Sequence, residues 1–148
     1  MHKKIISLIF VAALMVSGLF SLSEGEKAAP VFKSVLVHDP SIIKAEDGYF
    51  YIFGSHMAAA RSLDLISWEL ISRDADKGCT LFDDVQTELK DALSWAKTKT
   101  FWAPDVQKLN DGRYYFYYCT CEGSSPLSAL GVAVSDKPEG PYEDLGIF

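Results

Sequence analysis

Two segments of this 148-residue chain repeat the same landmarks at a constant spacing, and this internal repeat constrains the fold more than any other feature. Pro40 and Pro104 lie 64 positions apart (104 − 40), and the pairs Asp47-Gly48 and Asp111-Gly112 keep the same offset (111 − 47). Repeated units bury their apolar surface by stacking neighbouring copies, because one copy alone cannot enclose a core. The sequence therefore predicts two similar modules that pack side by side.

Each module is predicted to contain four short strands. The first strand leads into an Asp-Gly pair, which favours a hairpin turn, and the aromatic run after the turn favours a second strand. A third strand follows, and Trp68-Glu69 or Tyr142-Glu143 starts the fourth. Four antiparallel strands per unit, repeated radially, are typical of a β-propeller blade, so the predicted fold class is all-β. The first three strands are predicted at Ser41–Lys44, Tyr49–Phe53 and Ala58–Ser62, and at Asp105–Lys108, Arg113–Tyr118 and Leu130–Ser135.

The span between the two modules does not fit the blade pattern. Residues 83–97 have a helix-like composition, and their apolar side chains recur at spacings of three and four, which places them on one helical face. We expect this face to lie against a sheet and the charged face to meet solvent. The apolar residues are Val85, Leu89, Leu93 and Ala96.

The first residues have the charged head and apolar body of a secretory signal peptide. The apolar run Ile5–Phe20 is shorter than the roughly 20 residues that span a bilayer, and no cysteine follows it to accept a lipid. We therefore expect an exported protein, secreted or periplasmic, with no membrane contact once the signal is removed. The predicted organisation is a signal peptide at 1–23, a linker at 24–34 and a partial propeller domain at 35–148. Within that domain the first blade is predicted at about 35–70, an inserted loop at about 71–100 and the second blade at about 101–148.

Charge and cysteine content narrow the partners and cofactors. A formal net charge of −6 argues against a nucleic-acid partner and is neutral about sugars. The three cysteines are an odd number, so at least one thiol is free or pairs outside the chain. Cys119 and Cys121 alternate along a predicted strand and point to one face, but two thiols supply too few ligands for a zinc site. We predict that they pack in the core, and we predict no metal site.

Five motifs follow one another in order: His38-Asp39-Pro40-Ser41-Ile42, Asp47–Tyr51, Gly54-Ser55-His56, Arg61–Trp68 and Phe101–Val106. Together they resemble the opening of family 43 glycoside hydrolases, and the resemblance covers residues 35–145. Members of that family are five-bladed β-propellers that act on arabinan, arabinoxylan and xylan. The resemblance implies that only the first two four-stranded blades of such a propeller are present here.

The resemblance makes Asp39 the general base of an inverting glycosidase. Such enzymes use one carboxylate to activate a water and a second, protonated carboxyl group to assist the leaving group.

His38 is expected to support Asp39 or to contact substrate. Trp102 offers a flat face that could pack on a sugar ring or between blades, and Phe101 is expected in the core. Asp105 is expected to bind sugar hydroxyls or hold a loop, and Gly123 either leaves room for substrate or forms an ordinary turn.

The family's remaining catalytic carboxylates belong to later blades, and no glutamate of this chain has the context of the general acid. We therefore expect an N-terminal fragment of a longer hydrolase, inactive by itself, with open strand edges and exposed apolar faces.

The whole enzyme would act on a plant cell-wall polysaccharide or oligosaccharide, arabinan or α-L-arabinofuranosides above all. Specificity and the choice of endo or exo action stay open. Calcium on the propeller axis is a candidate cofactor of the whole enzyme, but no ligand cluster in this sequence identifies it.

Two other interpretations stay open. A non-catalytic carbohydrate-binding propeller would keep Trp102 and lack the acid. A retaining fructan or sucrose hydrolase has the related five-bladed fold, in which the first-blade aspartate is a nucleophile. That group carries an Asn-Asp-Pro-Asn-Gly run, from which His38-Asp39-Pro40-Ser41-Ile42 departs.

Overall fold

The computed structural model describes residues 28–148, so the predicted signal peptide lies outside the described residues. Two four-stranded antiparallel sheets follow one another along the chain, and in each the strand order equals the sequence order. This arrangement confirms the all-β prediction with two four-stranded blades. No helix in the described part is long and apolar enough to cross a membrane. The strands are β1 (Ser41–Lys44), β2 (Phe50–Gly54), β3 (Ala58–Ser62) and β4 (Glu69–Ser72), then β5 (Phe101–Lys108), β6 (Tyr114–Cys121), β7 (Ser128–Ser135) and β8 (Glu143–Ile147).

The internal repeat is visible in the first hairpin of each sheet. Gly48 and Gly112 occupy the left-handed region with φ of 89° and 85°, which glycine adopts without a steric penalty. The aspartate before each glycine accepts a hydrogen bond from the backbone N–H two residues on, at 3.0 Å for Asp47 and 3.1 Å for Asp111. The Asp-Gly pairs therefore form the predicted hairpin turns.

The first strand of the second sheet begins earlier than the strand that the sequence predicted. Strand β5 starts at Phe101 instead of Asp105, because Phe101 and Trp102 pair with β6 across a bulge between Trp102 and Asp105. Pro104 lies within this strand, where its missing N–H is tolerated because β5 is the edge of its sheet. The bulge places Trp102 at the head of the strand next to the first sheet.

The core lies between the two sheets. Phe53 of the first sheet meets Phe116 of the second edge to face, with ring centroids 6.0 Å apart, and both rings are fully buried. Phe82 and Tyr142 pack on the same Phe116 ring at 5.9 and 5.2 Å. Full burial of four aromatic side chains contributes several kcal/mol of hydrophobic stabilisation, at about 1.5–3 kcal/mol for each large apolar side chain. The sheets are therefore held as one packed unit.

Residues between the sheets form two short helices, α1 (Val85–Glu88) and α2 (Lys90–Ala96). The Asp84 carboxylate caps α1 by accepting from the N–H groups of Gln86 and Thr87. The pKa of Asp84 is lowered first by the Thr87 hydroxyl, which donates to the carboxylate at 2.6 Å, and then by these N–H groups. Helix α2 ends at Ala96, is followed by Lys97 in the left-handed conformation, and packs on the second sheet. The apolar face predicted for this segment is buried, as Val85, Leu89, Leu93 and Ala96 are each at most 8% exposed.

Apolar side chains remain exposed on the sheets and on the segment before β1. Ile42 and Leu70 are exposed on the first sheet, and Leu130 and Leu145 on the second. Before β1, the backbone of Lys33 bonds to Ile66 and Trp68, so this segment lies along the β3–β4 loop.

Candidate active site

Asp39 lies two residues before β1 in a left-handed conformation, with φ of 48°. Aspartate tolerates this conformation better than most residues, and the following Pro40 disfavours the right-handed helical region for it. The turn leaves the Asp39 side chain 44% exposed. A carboxylate is thus presented to solvent at the head of the first strand, and that strand lies next to β5.

One oxygen of the Asp39 carboxylate is held and the other is open. Oδ2 accepts a hydrogen bond from the Ser55 hydroxyl at 2.9 Å, and Nδ1 of His38 lies 2.9 Å from the same oxygen. Among residues 28–148, no hydrogen bond reaches Oδ1. The arrangement fixes the carboxylate and leaves one oxygen available to a water or a hydroxyl group.

Ser55 joins three separate parts of the chain. Its hydroxyl accepts a hydrogen bond from the backbone N–H of Ala103 at 2.9 Å while it donates to Asp39. Its own N–H donates to the backbone carbonyl of His38 at 2.8 Å. Ser55 is 1% exposed, so its own end of each of these bonds is buried.

The residue before Ser55 must be a glycine for this contact to form. A Cβ atom on Gly54 would lie 2.4 Å from the His38 carbonyl oxygen and 2.4 Å from Cγ1 of Val37. Real Cβ atoms essentially never approach other heavy atoms that closely. The end of β2 and the loop that carries Asp39 therefore touch through their backbones.

Backbone strain concentrates around Ser55. Six non-glycine residues in the described part have positive φ, and four of them lie at this site. Each such conformation costs on the order of 1–3 kcal/mol and persists only where the surrounding structure imposes it, which is common at functional sites. The four residues are Asp39 (48°), His56 (64°), Met57 (65°) and Ala103 (25°), and both Asp39 and Ala103 directly precede a proline.

Trp102 forms the aromatic side of the site. Its indole Nε1–H donates to the backbone carbonyl of Cys121 at 2.9 Å, which fixes the ring, and the side chain is half-buried. The exposed imidazole of His56 lies against it, with ring centroids 5.3 Å apart. Because the N–H group is already used, Trp102 can offer a ligand only its apolar surface.

The structure brings together some of the predicted site residues and not others. His38, Asp39 and Trp102 are joined through Ser55 and Ala103. Asp105 is exposed farther along β5 and accepts two bonds from the Gln107 amide, at 3.2 and 3.0 Å. Gly123 is exposed in the β6–β7 loop with nothing within 4 Å of a Cβ position. No hydrogen bond or ion pair among the described residues links Asp105 or Gly123 to Asp39.

Phe101 packs in the core as predicted. It is 2% exposed and meets the Tyr118 ring edge to face at 6.5 Å.

From the sequence we predicted no role for Ser55, His56 or the backbone of Ala103. Gly54-Ser55-His56 was visible as a motif, but a buried serine that bridges two modules has no local sequence pattern. Ser55 and Ala103 are 48 residues apart, so their contact depends on how the sheets dock.

No group of three or more metal-ligating side chains occurs within residues 28–148. Cys119 and Cys121 are half-buried and carry free thiols. Burial, followed by the neighbouring Cys121, raises the pKa of Cys119 and keeps it as the neutral thiol at neutral pH. The described residues therefore identify no calcium or zinc site.

Comparison with known proteins gives one consistent result. The sequence model of the family described as glycosyl hydrolases family 43 matches residues 28–148. The chain is 46% identical to the extracellular endo-α-(1→5)-L-arabinanase 2 of Bacillus subtilis, an alignment that covers 100% of this chain and 31% of the relative. It is 48% identical to the extracellular endo-α-(1→5)-L-arabinanase of Thermotoga petrophila over 80% of this chain and 25% of the relative.

Solved structures agree with the sequence relatives. A family 43 glycoside hydrolase of Bacillus licheniformis superposes with a TM-score of 0.78 at 54% identity, covering 81% of this chain and 27% of that protein. The endo-1,5-α-L-arabinanase of Thermotoga petrophila superposes with a TM-score of 0.77 at 46% identity, with the same coverage of 81% and 27%. The chain thus spans between a quarter and a third of the length of these relatives.

Proposed function

The chain belongs to glycosyl hydrolases family 43, and we propose that it forms one wall of the active site of an exported hydrolase that cleaves α-(1→5)-linked L-arabinan. The observation that carries the proposal is the Asp39 carboxylate, which is open on one oxygen and held on the other by Ser55, whose hydroxyl also bonds to the backbone of Ala103, the residue after Trp102. Two relatives with 46% and 48% identity are named as enzymes of this linkage, which supports the choice of substrate and of internal cleavage.

Asp39 acts as the general base in this proposal. Its Oδ1 takes a proton from a water, the water oxygen attacks the anomeric carbon, and the glycosidic bond breaks with inversion. A second carboxyl group protonates the departing oxygen, and in inverting enzymes it stands about 6.5–9.5 Å from the base. We assign this acid to no residue of the present chain. The bonds to Oδ2 hold the base in one orientation, so the carboxylate need not reorient during the reaction.

The other predicted residues receive substrate-binding roles in the proposal. The apolar face of Trp102 stacks on an arabinose ring. The bond from its N–H to the Cys121 carbonyl fixes the indole and leaves this face as the surface that a sugar can contact. His38, with its side chain 69% exposed beside Asp39, contacts a sugar hydroxyl. Asp105 binds a hydroxyl farther along the chain of sugars, and the exposed loop at Gly123 leaves room for the polysaccharide.

The proposed organisation is a signal peptide at 1–23, a linker at 24–34 and a propeller domain from 35 onward. The relatives are named as extracellular enzymes, which supports export of this protein. The proposed partner is therefore arabinan of the plant cell wall.

A chimera tests the proposal. Residues 28–148 replace the aligned segment of the Bacillus subtilis arabinanase 2, so that the relative supplies the rest of the active site. We expect hydrolysis of debranched arabinan, with the product initially released as the β-anomer, measured by NMR. We expect Asp39→Asn to lower kcat at least 100-fold, because general base catalysis contributes on the order of 10²–10⁴.

Asp136→Asn is the matched control. Asp136 follows the end of β7 that pairs with Tyr114, the opposite end of the sheet from Trp102, so kcat should not change. A folded chimera without activity, or one whose Asp39→Asn variant keeps full activity, would refute the proposed function. Release of the α-anomer would refute inversion alone.

A further inference from the structure

We propose that Ser55 is a positioning residue, which orients the Asp39 carboxylate and takes its own orientation from the backbone of the second sheet. The inference rests on the proposed function of Asp39 as the general base. Ser55 does not touch substrate in this proposal. It acts through Asp39.

The hydrogen bonds form a directed chain. The N–H of Ala103 donates to Ser55 Oγ at 2.9 Å, and the Ser55 hydroxyl donates to Asp39 Oδ2 at 2.9 Å. Because the bond from Ala103 occupies an acceptor position of the hydroxyl, it directs the hydroxyl proton toward Asp39. A bond to an ionised carboxylate is among the strong hydrogen bonds in proteins, so the direction of this proton determines the direction of the carboxylate.

The remaining contact of Asp39 is a weaker restraint. His38 lies 2.9 Å from the same oxygen, but its side chain is 69% exposed, so water and salt screen the interaction. Ser55 is 1% exposed and is anchored by its own N–H to the His38 carbonyl at 2.8 Å. The buried hydroxyl is therefore the group that fixes the carboxylate.

The chain of bonds also crosses between modules. Asp39 precedes β1 and Ser55 follows β2, so both belong to the first module, whereas Ala103 stands within β5 of the second. A change in the docking of the two sheets would move Ala103 relative to Asp39 and turn the hydroxyl away. The proposal thus makes the orientation of the base depend on the contact between blades.

Ser55→Ala in the chimera tests the positioning role. We expect kcat to fall between 10-fold and 100-fold with KM unchanged within twofold, because a misplaced base weakens the reaction and leaves substrate binding intact. Ser55→Cys retains the size with a weaker donor and acceptor, so its kcat should lie between those of the parent and Ser55→Ala.

Ser62→Ala is the matched control. Ser62 is also a buried serine of the first sheet whose hydroxyl donates to an aspartate, Asp64, at 3.0 Å, and it accepts from the N–H of Leu65 at 2.9 Å. The Ser62→Ala substitution removes similar bonds, so it should lower the melting temperature about as much as Ser55→Ala does. Its kcat should match that of the parent, which separates positioning from loss of stability.

A second measurement uses the 148-residue chain itself and does not depend on activity. Amide hydrogen exchange by NMR should be at least tenfold faster at Ala103 in Ser55→Ala than in the parent, and unchanged there in Ser62→Ala. Unchanged exchange at Ala103, or unchanged kcat in Ser55→Ala of an active chimera, would overturn the inference. An inactive parent chimera would overturn the proposed function, and the exchange at Ala103 would still decide whether Ser55 links the modules.

Discussion

Substitution of Gly54 by alanine tests whether the backbone contact between β2 and the Asp39 loop sets the geometry of the base. Gly54 has φ of −153° and ψ of −179°, an extended conformation that alanine adopts freely. The substitution therefore adds no backbone strain. Its effect comes from one methyl group placed against the His38 carbonyl and the Val37 side chain.

The structure gives the size of the displacement. The new Cβ would lie 2.4 Å from the His38 carbonyl oxygen, whereas ordinary contacts begin at 3.4 Å, so the two must separate by about 1 Å (3.4 − 2.4). The oxygen belongs to the backbone and cannot swing aside as a side chain would, so Asp39 moves with it. A displacement of about 1 Å at a reacting group can cost about 100-fold in rate.

Steady-state kinetics of the chimera on debranched arabinan measure this effect. We expect kcat to fall about 100-fold in Gly54→Ala, with a much smaller change in KM because Trp102 is untouched. Overpacking should also lower the free energy of unfolding by about 1–3 kcal/mol, measured by guanidinium titration.

Gly131→Ala is the control for this prediction. A Cβ on Gly131 would lie 2.3 Å from the Tyr118 ring, so this variant also overpacks its surroundings, but against a side chain of the second sheet. We expect a similar loss of unfolding free energy and no change in kcat for the folded protein. If Gly54→Ala retained the parent kcat, or if both variants lost kcat equally, the reasoning from Gly54 to Asp39 would be wrong.

Three further predictions concern the core, the alkaline limit and the aromatic surface. Phe116→Ala should lower the free energy of unfolding of the chimera by about 3–5 kcal/mol, because the fully buried ring contacts aromatic side chains of both sheets; a loss below 1 kcal/mol would contradict a shared core. Burial raises the pKa of Tyr118 and of Tyr142. The contribution of these two groups to the free energy of unfolding should therefore be fully present below the ordinary tyrosine pKa of about 10 and should decline as pH rises above it, with a shallower decline in Tyr142→Phe. Trp102→Phe should keep part of the affinity for arabino-oligosaccharides and Trp102→Ala should raise KM about tenfold, since stacking on a sugar needs the ring; equal KM values in the parent and both variants would exclude Trp102 from the binding surface.

The sequence was sufficient for features that local chemistry determines. The Asp-Gly turns at 47–48 and 111–112 form because glycine supplies the left-handed backbone and the aspartate satisfies the following N–H. The apolar spacing at 85–96 likewise predicts the buried helical face, although Leu89 divides the segment into two helices. The repeat, the all-β class and the family resemblance all follow from such patterns.

Contacts between distant residues could not be predicted in the same way. Strand β5 begins at Phe101 because of a bulge against β6, and no local pattern in the sequence marks that bulge. The role of Ser55 depends on Ala103, which reaches it only after the sheets have packed. The catalytic role of Asp39 stays a prediction, although the geometry around its carboxylate supports it.

Asp39 and Ala103 occupy the same position in the two copies of the repeat, 64 residues apart (103 − 39), and both bend into the left-handed region before a proline. The first copy carries a carboxylate at this bend, and the second carries a methyl group and contributes only its N–H. In the proposed function, the first copy supplies the general base and the second supplies the backbone N–H that orients it through Ser55. The two bends thus share a left-handed backbone conformation before proline and differ in the side chain that each presents.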